Sequence, residues 1–435
     1  MPPYSSPRAS SRNSIIVPKR RWRIAVLLGL GVLINYFDRV NVSVAKDALH
    51  SDFGVTTVMF GYILSAYNWT YALLQLPMGV VLDRFGVRNV GRASTLLWSI
   101  ATFAATAAIG VKSFIFSRLL LGVGEAPTFP AYAKAVGYWF PREERSLATA
   151  MFDAAAKFGP AIGTPLVGLL LIHFGWRWSF AATAILSFLY FLVFYVVYRD
   201  PGEDPNLSEA ERRYLAEHGA TERATPGVSG GASLAYLLKQ RKVWGLVLGF
   251  FGYNYCFYLL LTWMPTYFST LHLTPTESVL WTSVPWLVAT LTDLLVGGWM
   301  VDVLVKRGHD DTRVRKTVLI VGTALGLGIA GAMFTTSVAV AVFWISISIG
   351  GLAAAAPVGW SLPGLIAPRD SVGKVGGILN FGNQVAGITA PIVTGYLVGP
   401  RNSFGAAFAV TAAILLVGIA AYVFLLGRVE PVPEP

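Results

Sequence analysis

GVVLDRFGVRNVGR (residues 79–92) and GWMVDVLVKRG (residues 298–308) share one form: a glycine, three residues, an aspartate, then bases. Each closes an apolar run long enough to cross a bilayer. A second echo pairs Pro141-Arg142-Glu143, ahead of the fifth such run, with Pro368-Arg369-Asp370, ahead of the eleventh. Two echoes in the same order mean that the second half of the chain repeats the first in parallel, with any binding site near the bilayer midplane between the halves.

Working outward from these echoes, twelve spans are expected. They lie at about 22–45, 58–82, 91–110, 114–139, 147–172, 178–198, 243–268, 277–301, 317–335, 337–360, 373–397 and 404–427. Apolar runs of about 20 residues are what a membrane helix needs. Of the 435 residues, 54% are hydrophobic and 13% charged, with mean hydropathy +0.58; soluble proteins carry about 25% charged residues. Backbone polar groups facing lipid must be satisfied internally, so the spans are helices. The ten-residue alternation of an outer-membrane barrel is absent. The fold class expected is therefore an all-α membrane protein of twelve transmembrane helices, arranged as two six-helix pseudo-symmetric halves.

The domain reading follows. Residues 1–20 form a disordered basic tail, 21–198 the N-terminal six-helix bundle, and 199–242 a cytoplasmic linker. Residues 243–427 form the C-terminal bundle and 428–435 a C-terminal tail. In the linker, Ser208 followed by Glu211 reads as a capping box that opens a short surface helix. Charge sets the orientation. Of 34 Lys and Arg, only Lys46, Lys112, Arg177 and Arg401 fall in outer loops, and Arg39, Arg118, Lys134 and Lys157 fall within spans. The rest lie on one side, which places both termini in the cytoplasm. The net charge of +11 tracks those loops and indicates no nucleic-acid partner. One cysteine, Cys256, excludes an internal disulfide and a thiolate metal cluster. No metal spacing appears, and GVGEA (residues 122–126) lies inside a span, so it is no dinucleotide fingerprint. Catalysis, cofactors and metals are not expected.

Ionisable residues inside spans cost roughly 2.5–3.5 kcal/mol each near the bilayer centre, and by default mark an ion or substrate path. WRIAVLLGLGVLINYFDRVNVSVA (residues 22–45) carries Asp38 and Arg39, and FIFSRLLLGVGEAPTFPAYA (residues 114–133) carries Arg118 and Glu125. Asp38 and Arg39 point about 100° apart on a helix, so they need not seal each other; a buried ion pair is the alternative. Arg39 can then offer its planar fork to a carboxylate while Asp38 faces a proton route. Arg118 and Glu125 share a face about 10 Å apart along the axis, too far for a tight pair. Glu125 is thus read as a carboxyl standing away from its base, able to take a proton and lose it when a cation approaches. A structural clamp at the Ala126-Pro127 bend is the alternative.

Span five carries Asp153 and Lys157, an acid-first i,i+4 pair. Aligning the repeat places Asp153 opposite Asn380 and Lys157 opposite Gln384. Lys157 is read as binding a second acidic or hydroxy-acid group; a self-contained pair with Asp153 is the alternative. Tyr67, Asn68, Tyr71 and Gln75 form a polar stripe on span two. Tyr253, Asn254, Tyr255 and Tyr258 form an aromatic-amide cluster on span seven. Asp293 in span eight has no evident partner and is either a cavity acid or half of a structural pair. After span two, Asp83 caps a loop with Arg84, Arg88 and Arg92, a gate or a simple stop-transfer turn. Its recurrence as Asp302 favours the gate, with Gly79, Gly86 and Arg84 and Arg88 beside it.

These stretches resemble a known family. Gly79 to Arg88 resembles the loop 2–3 signature of the major facilitator superfamily, and Arg118-x-x-x-Gly122-x-x-Glu125-Ala126 resembles its span-four signature. NYFDRVNVSVA, LTWMPTYF, GWSLPGLIAP and NFGNQVAGITAPIVTGYL together resemble the anion:cation symporter family, above all its bacterial sugar-acid (galactonate, glucarate, hexuronate) proton symporters. The resemblance implies proton coupling at Asp38 and Glu125, and substrate contact at Tyr36, Arg39, Tyr71, Trp360 and Asn380. Arg118, Lys157 and Gln384 complete the candidate binding set. Lys157 departs from the galactonate-type pattern, which carries an amide near that position.

The expectation is a proton-coupled importer of an organic anion, a sugar acid or related carboxylate, working by alternating access. It would be a monomer in the bacterial inner membrane, with the proton as coupling ion and no other cofactor. A drug or metabolite exporter working by proton antiport is the alternative, against which the buried bases argue. A non-transporting sensor would need a signalling domain larger than the polar segments here.

Overall fold

A computed structural model of the chain describes residues 19–141, 144–218, 220, 232–368, 371–400 and 402–434. Residues 1–18 of the basic tail, Arg142, Glu143, Arg369 and Asp370 of the second echo, Arg401 and linker residues 221–231 lie outside the described residues.

The fold is all-helical. Eight helices are each long and apolar enough to cross a membrane: Arg20–Val44, Leu147–Phe174, Trp176–Val197, Arg241–Ser269, Pro275–Lys306, Asp311–Phe334, Val338–Ile366 and Gly405–Leu425. The other four spans come from three more polar or broken helices. Thr57–Thr106 is a continuous 50-residue run that bends at Gly86, where φ is 76°. That left-handed conformation suits glycine, which has no Cβ to clash, and it divides the run into spans two and three. Span four breaks between Val111–Glu125 and Thr128–Trp139, at Ala126-Pro127. Span eleven is Val372–Val398. Span eight is wound wider, as a π-helix, over Asp293–Met300.

Within the first half, span one packs on span five, and span two on span four; span two also packs on span eleven, and span five on span eight. The last two pairings join the halves. At the end of the molecule carrying the 45–56 and 399–404 loops they are tight. A Cβ on Gly61 would fall 2.6 Å from the Pro391 carbonyl oxygen, so only glycine lets span two approach span eleven so closely. Tyr62 and Tyr396 share a hydrogen bond of 3.1 Å, Lys46 donates to Asn402 over 2.8 Å, and Asn68 Nδ2 donates to the Gly387 carbonyl over 2.9 Å. Deeper in, the contact ends at Gln75–Asn380 on one side and Lys157–Asp293 on the other. Among the described residues, no hydrogen bond or ion pair joins the halves between those two contacts and the end bearing the termini.

The first part of the linker docks on the first half, while Ala232 at its far end bonds Ser371 and Lys374 of the second. Ser208 Oγ accepts from Glu211 N over 3.2 Å, so half of the expected capping box forms. The reciprocal bond does not, because the Glu211 carboxylate accepts from the backbone N–H groups of Arg20 and Arg21 and from the Arg21 guanidinium. Arg21 also donates to Glu144, which accepts from Tyr214 as well. The linker helix Glu209–Glu217 is thereby pinned over the starts of spans one and five.

Candidate functional site

Four intramembrane charges meet where spans one, two and four converge. Arg39 donates from Nε (3.0 Å) and Nη2 (2.9 Å) to Oε2 of Glu125. Both side chains are buried. Expected to stand away from its base, Glu125 is instead paired, though with the arginine of the facing helix and not with Arg118 on its own. The correction is one of helix packing: seven residues of separation do keep Arg118 and Glu125 apart, but span one brings Arg39 across the gap.

The Arg39 guanidinium carbon also lies 4.7 Å from the ring centre of Tyr36, 5.0 Å from Tyr67 and 5.6 Å from Tyr71. Aromatic faces attract a desolvated cation by about 2 kcal/mol. Three rings and a carboxylate therefore hold the guanidinium in place of water. Burying such a pair costs desolvation that good geometry only offsets, so the pair is weak evidence of stability and better evidence of a site.

Asp38 lies on the other side of span one, fully buried. Ser187 Oγ donates to its Oδ2 over 3.0 Å, while Oδ1 has no hydrogen-bond partner. Glu125 Oε1 and both amide atoms of Asn35 are likewise buried and unpartnered. Arg118 donates to the backbone carbonyl of Asp38 over 3.3 Å rather than to either carboxylate. Ser187 was missed by sequence reasoning. It ends a Ser179, Thr183, Ser187 stripe on span six whose i, i+4, i+8 spacing was visible, and which also bonds Asn41.

A second cluster lies between spans five and eight. Lys157 Nζ is 2.7 Å from Asp153 Oδ2 and 3.2 Å from Asp293 Oδ1. The self-contained Asp153–Lys157 pair is thus incomplete: Asp293, which had no evident partner in sequence, is the third member. Tyr36, whose ring lies 4.7 Å from the Arg39 guanidinium carbon, also packs against Gly159, two residues after Lys157.

Of the remaining candidates, Asn380 donates to Gln75 Oε1 over 2.7 Å, and Gln75 donates onward to the Ala126 carbonyl. Gln384 is buried with Oε1 unpartnered. Trp360 is 43% exposed and set edge-on to Phe250, apart from the charged clusters. Trp263 is fully buried and donates to the Pro391 carbonyl, which makes it packing.

The candidate gate is partly assembled. Asp83 pairs with Lys134 of span four rather than with the bases of its own loop, and Arg88 pairs with Glu203 of the linker. Arg84 stacks over Phe85 at 5.3 Å. Gly79 is exposed with open space around it, and Gly86 forms the bend. Asp302 is exposed and makes no hydrogen bond or ion pair among the described residues.

Comparison with known proteins agrees with this fold. The family description Major Facilitator Superfamily matches residues 28–309 and 310–435. The chain is 41% identical to the uncharacterized transporter YybO of Bacillus subtilis, covering 94% of this chain and 95% of the relative. It is 32% identical to the D-galactonate transporter of Escherichia coli O6:H1 (95% and 97% covered). It is also 32% identical to the probable galactarate/D-glucarate transporter GarP of Escherichia coli K12 (94% and 95% covered). The crystal structure of the D-xylose-proton symporter superimposes with a TM-score of 0.72 at 19% identity, over 95% of this chain and 98% of that one.

Proposed function

The chain belongs to the Major Facilitator Superfamily and is a membrane transporter related to sugar-acid transporters, not an enzyme; on that premise we propose that it imports a sugar acid or related carboxylate by proton symport. The single observation that supports this most is the buried Arg39–Glu125 pair beside Asp38. A proton on Glu125 removes the charge that holds Arg39, and a substrate carboxylate then takes the fork that Glu125 leaves. Loss of the proton restores the pair and expels the anion. Proton and anion thereby enter together and leave together, which is what symport requires. A ligand shifts the equilibrium between two carrier states only by its differential affinity for them, and the Arg39 fork differs between those states in this scheme.

Asp38 and Glu125 are the proton-coupling residues in this reading. Tyr36, Arg39, Tyr71, Arg118, Lys157, Trp360, Asn380 and Gln384 contact substrate. Gly79, Asp83, Arg84, Gly86, Arg88 and Asp302 gate the end bearing the termini, which faces the cytoplasm. The two halves, 21–198 and 243–427, rock about the site as units, with the 199–242 linker between them. The carrier works as a monomer in a bacterial inner membrane, and its only cofactor is the proton. The tight joining of the halves at the opposite end supports a carrier state sealed towards the outside.

Uptake of galactonate and glucarate into proteoliposomes, with and without an inward proton gradient, tests the proposal. Accumulation should follow the gradient. Glu125→Gln should retain substrate exchange yet lose gradient-driven accumulation. Accumulation that ignores the gradient, or full accumulation by the variant, would refute it.

A further inference from the structure

The Lys157 cluster carries one more carboxylate than it needs. Asp153 and Asp293 share one base, whereas Arg39, Arg118, Asp38 and Glu125 balance. The two carboxylates are not equivalent. Asp153 is one turn away on the same helix and closer, at 2.7 Å with hydrogen-bond geometry. Asp293 comes from the other half of the molecule, stands farther from the base at 3.2 Å, and is only 3% exposed. It also begins the π-helical turn of span eight, a winding that recurs at functional positions. A buried acid held by the longer of the two ion pairs, from across the interface between the halves, is the member that can leave.

Lys157 is also placed to meet a ligand that occupies Arg39. Spans one and five run side by side in parallel: Gly159 lies against Tyr36 and Gly163 against Phe37. Continuing that register sets Lys157 level with residues about four to five positions before Arg39, or about 7 Å along the axis. The Tyr36 ring lies 4.7 Å from the Arg39 guanidinium carbon, and its Cβ lies against Gly159, two residues after Lys157. A short carbon chain with an anionic group at each end spans that separation along the Tyr36 ring.

We propose that Asp293 is an internal stand-in for the second anionic group of the substrate: it holds Lys157 across the contact of spans five and eight until a dianion displaces it. This rests on the proposed uptake of sugar acids and names the class within it, a dicarboxylate. A monoanion fills only the Arg39 fork and leaves the lock shut. A dianion fills both bases, frees Asp293 and releases span eight from span five. The groups facing Asp293 are Lys157 and Asp153 of span five and Tyr253 of span seven. Span ten, packed on the same turn at Gly297, brings no titratable side chain. Displaced Asp293 is a bare carboxylate in apolar surroundings and takes a proton from the open aqueous side to stay there.

The test compares glucarate with galactonate as competing ligands of the purified full-length protein in proteoliposomes. Asp293→Asn leaves Lys157 paired with Asp153, so the cluster keeps its balance. It should raise the glucarate-over-galactonate preference about tenfold, the size of a typical coupling between two sites. Lys157→Gln should lower that preference by a similar factor. A preference unmoved by both substitutions would overturn the proposal and leave a purely structural bridge. If the unsubstituted protein accumulates neither acid, the transport reading fails by itself. Ligand-induced thermal shifts of the same three proteins in detergent, with each acid in turn, then decide the lock by the same ratio.

Discussion

The two deepest polar contacts between the halves occupy equivalent places in the repeat, yet are built from opposite chemistry. On one side, span two meets span eleven through neutral amides, with Asn380 donating to Gln75 over 2.7 Å. On the other, span five meets span eight through Lys157, Asp153 and Asp293. The amide contact is a hydrogen bond whose net worth is about 1 kcal/mol. The charged contact is strong only while its base is present, since removal of Lys157 strands two carboxylates. A carrier needs the halves to part on demand. The neutral contact parts at a small, constant cost, whereas the charged one parts readily only when another ion replaces what is lost. On the proposal above, that difference is what would put substrate control on the side of spans five and eight.

The largest expected effect breaks the charged side. Lys157→Met leaves Asp293 buried, and Asp153 half-buried, without a base and should cost about 3–5 kcal/mol of stability. A much lower unfolding midpoint in detergent than the unsubstituted protein would show it, and a midpoint within a degree or two would deny the charged contact its weight. Next comes the neutral side. Gln75→Ala should cost about 1 kcal/mol, with an added penalty for the amide left behind on Asn380. The comparison is sharpened if the double substitution Gln75→Ala, Asn380→Ala costs no more than the single one, and is broken if it matches Lys157→Met.

The smallest effect concerns a charged contact outside the bilayer. Arg21, hydrogen-bonded to Glu144, holds that carboxyl below the ordinary glutamate value, with Tyr214 adding to the effect. A depressed folded value contributes stability that is complete above the unfolded value and is lost as pH falls through the folded one. The linker helix Glu209–Glu217 should therefore loosen in acid, by less than about 1 kcal/mol for so accessible a pair. Hydrogen exchange of that helix between neutral and acidic pH reads it. Glu144→Gln should flatten the acid dependence, and an unchanged profile would show that the contact does not act on the linker.

Much of the site was legible in the chain because apolar spans make every ionisable residue conspicuous. Asp38, Arg39, Arg118, Glu125, Asp153, Lys157 and Asp293 all stood out as costs that a membrane helix does not bear without use. The turn between spans two and three and the bend at Ala126-Pro127 are legible too, since backbone chemistry there is local. What could not be read was partnership. The spacing sets Glu125 apart from its base, whereas the fold pairs it with Arg39; Asp293 has no evident partner in sequence and pairs with Lys157; half of the Ser208–Glu211 box is lost to Arg20 and Arg21.

The amino-acid sequence alone determined that this chain crosses the membrane as two parallel six-helix halves, because hydropathy, repeat and glycine or proline breaks act over a few residues at a time. It also determined which side chains must be hidden from lipid. Only the tertiary structure decided which acid faces which base. That choice depends on how spans one and four, and spans five and eight, are set against each other, and a shift of one helical turn would rewrite every pair.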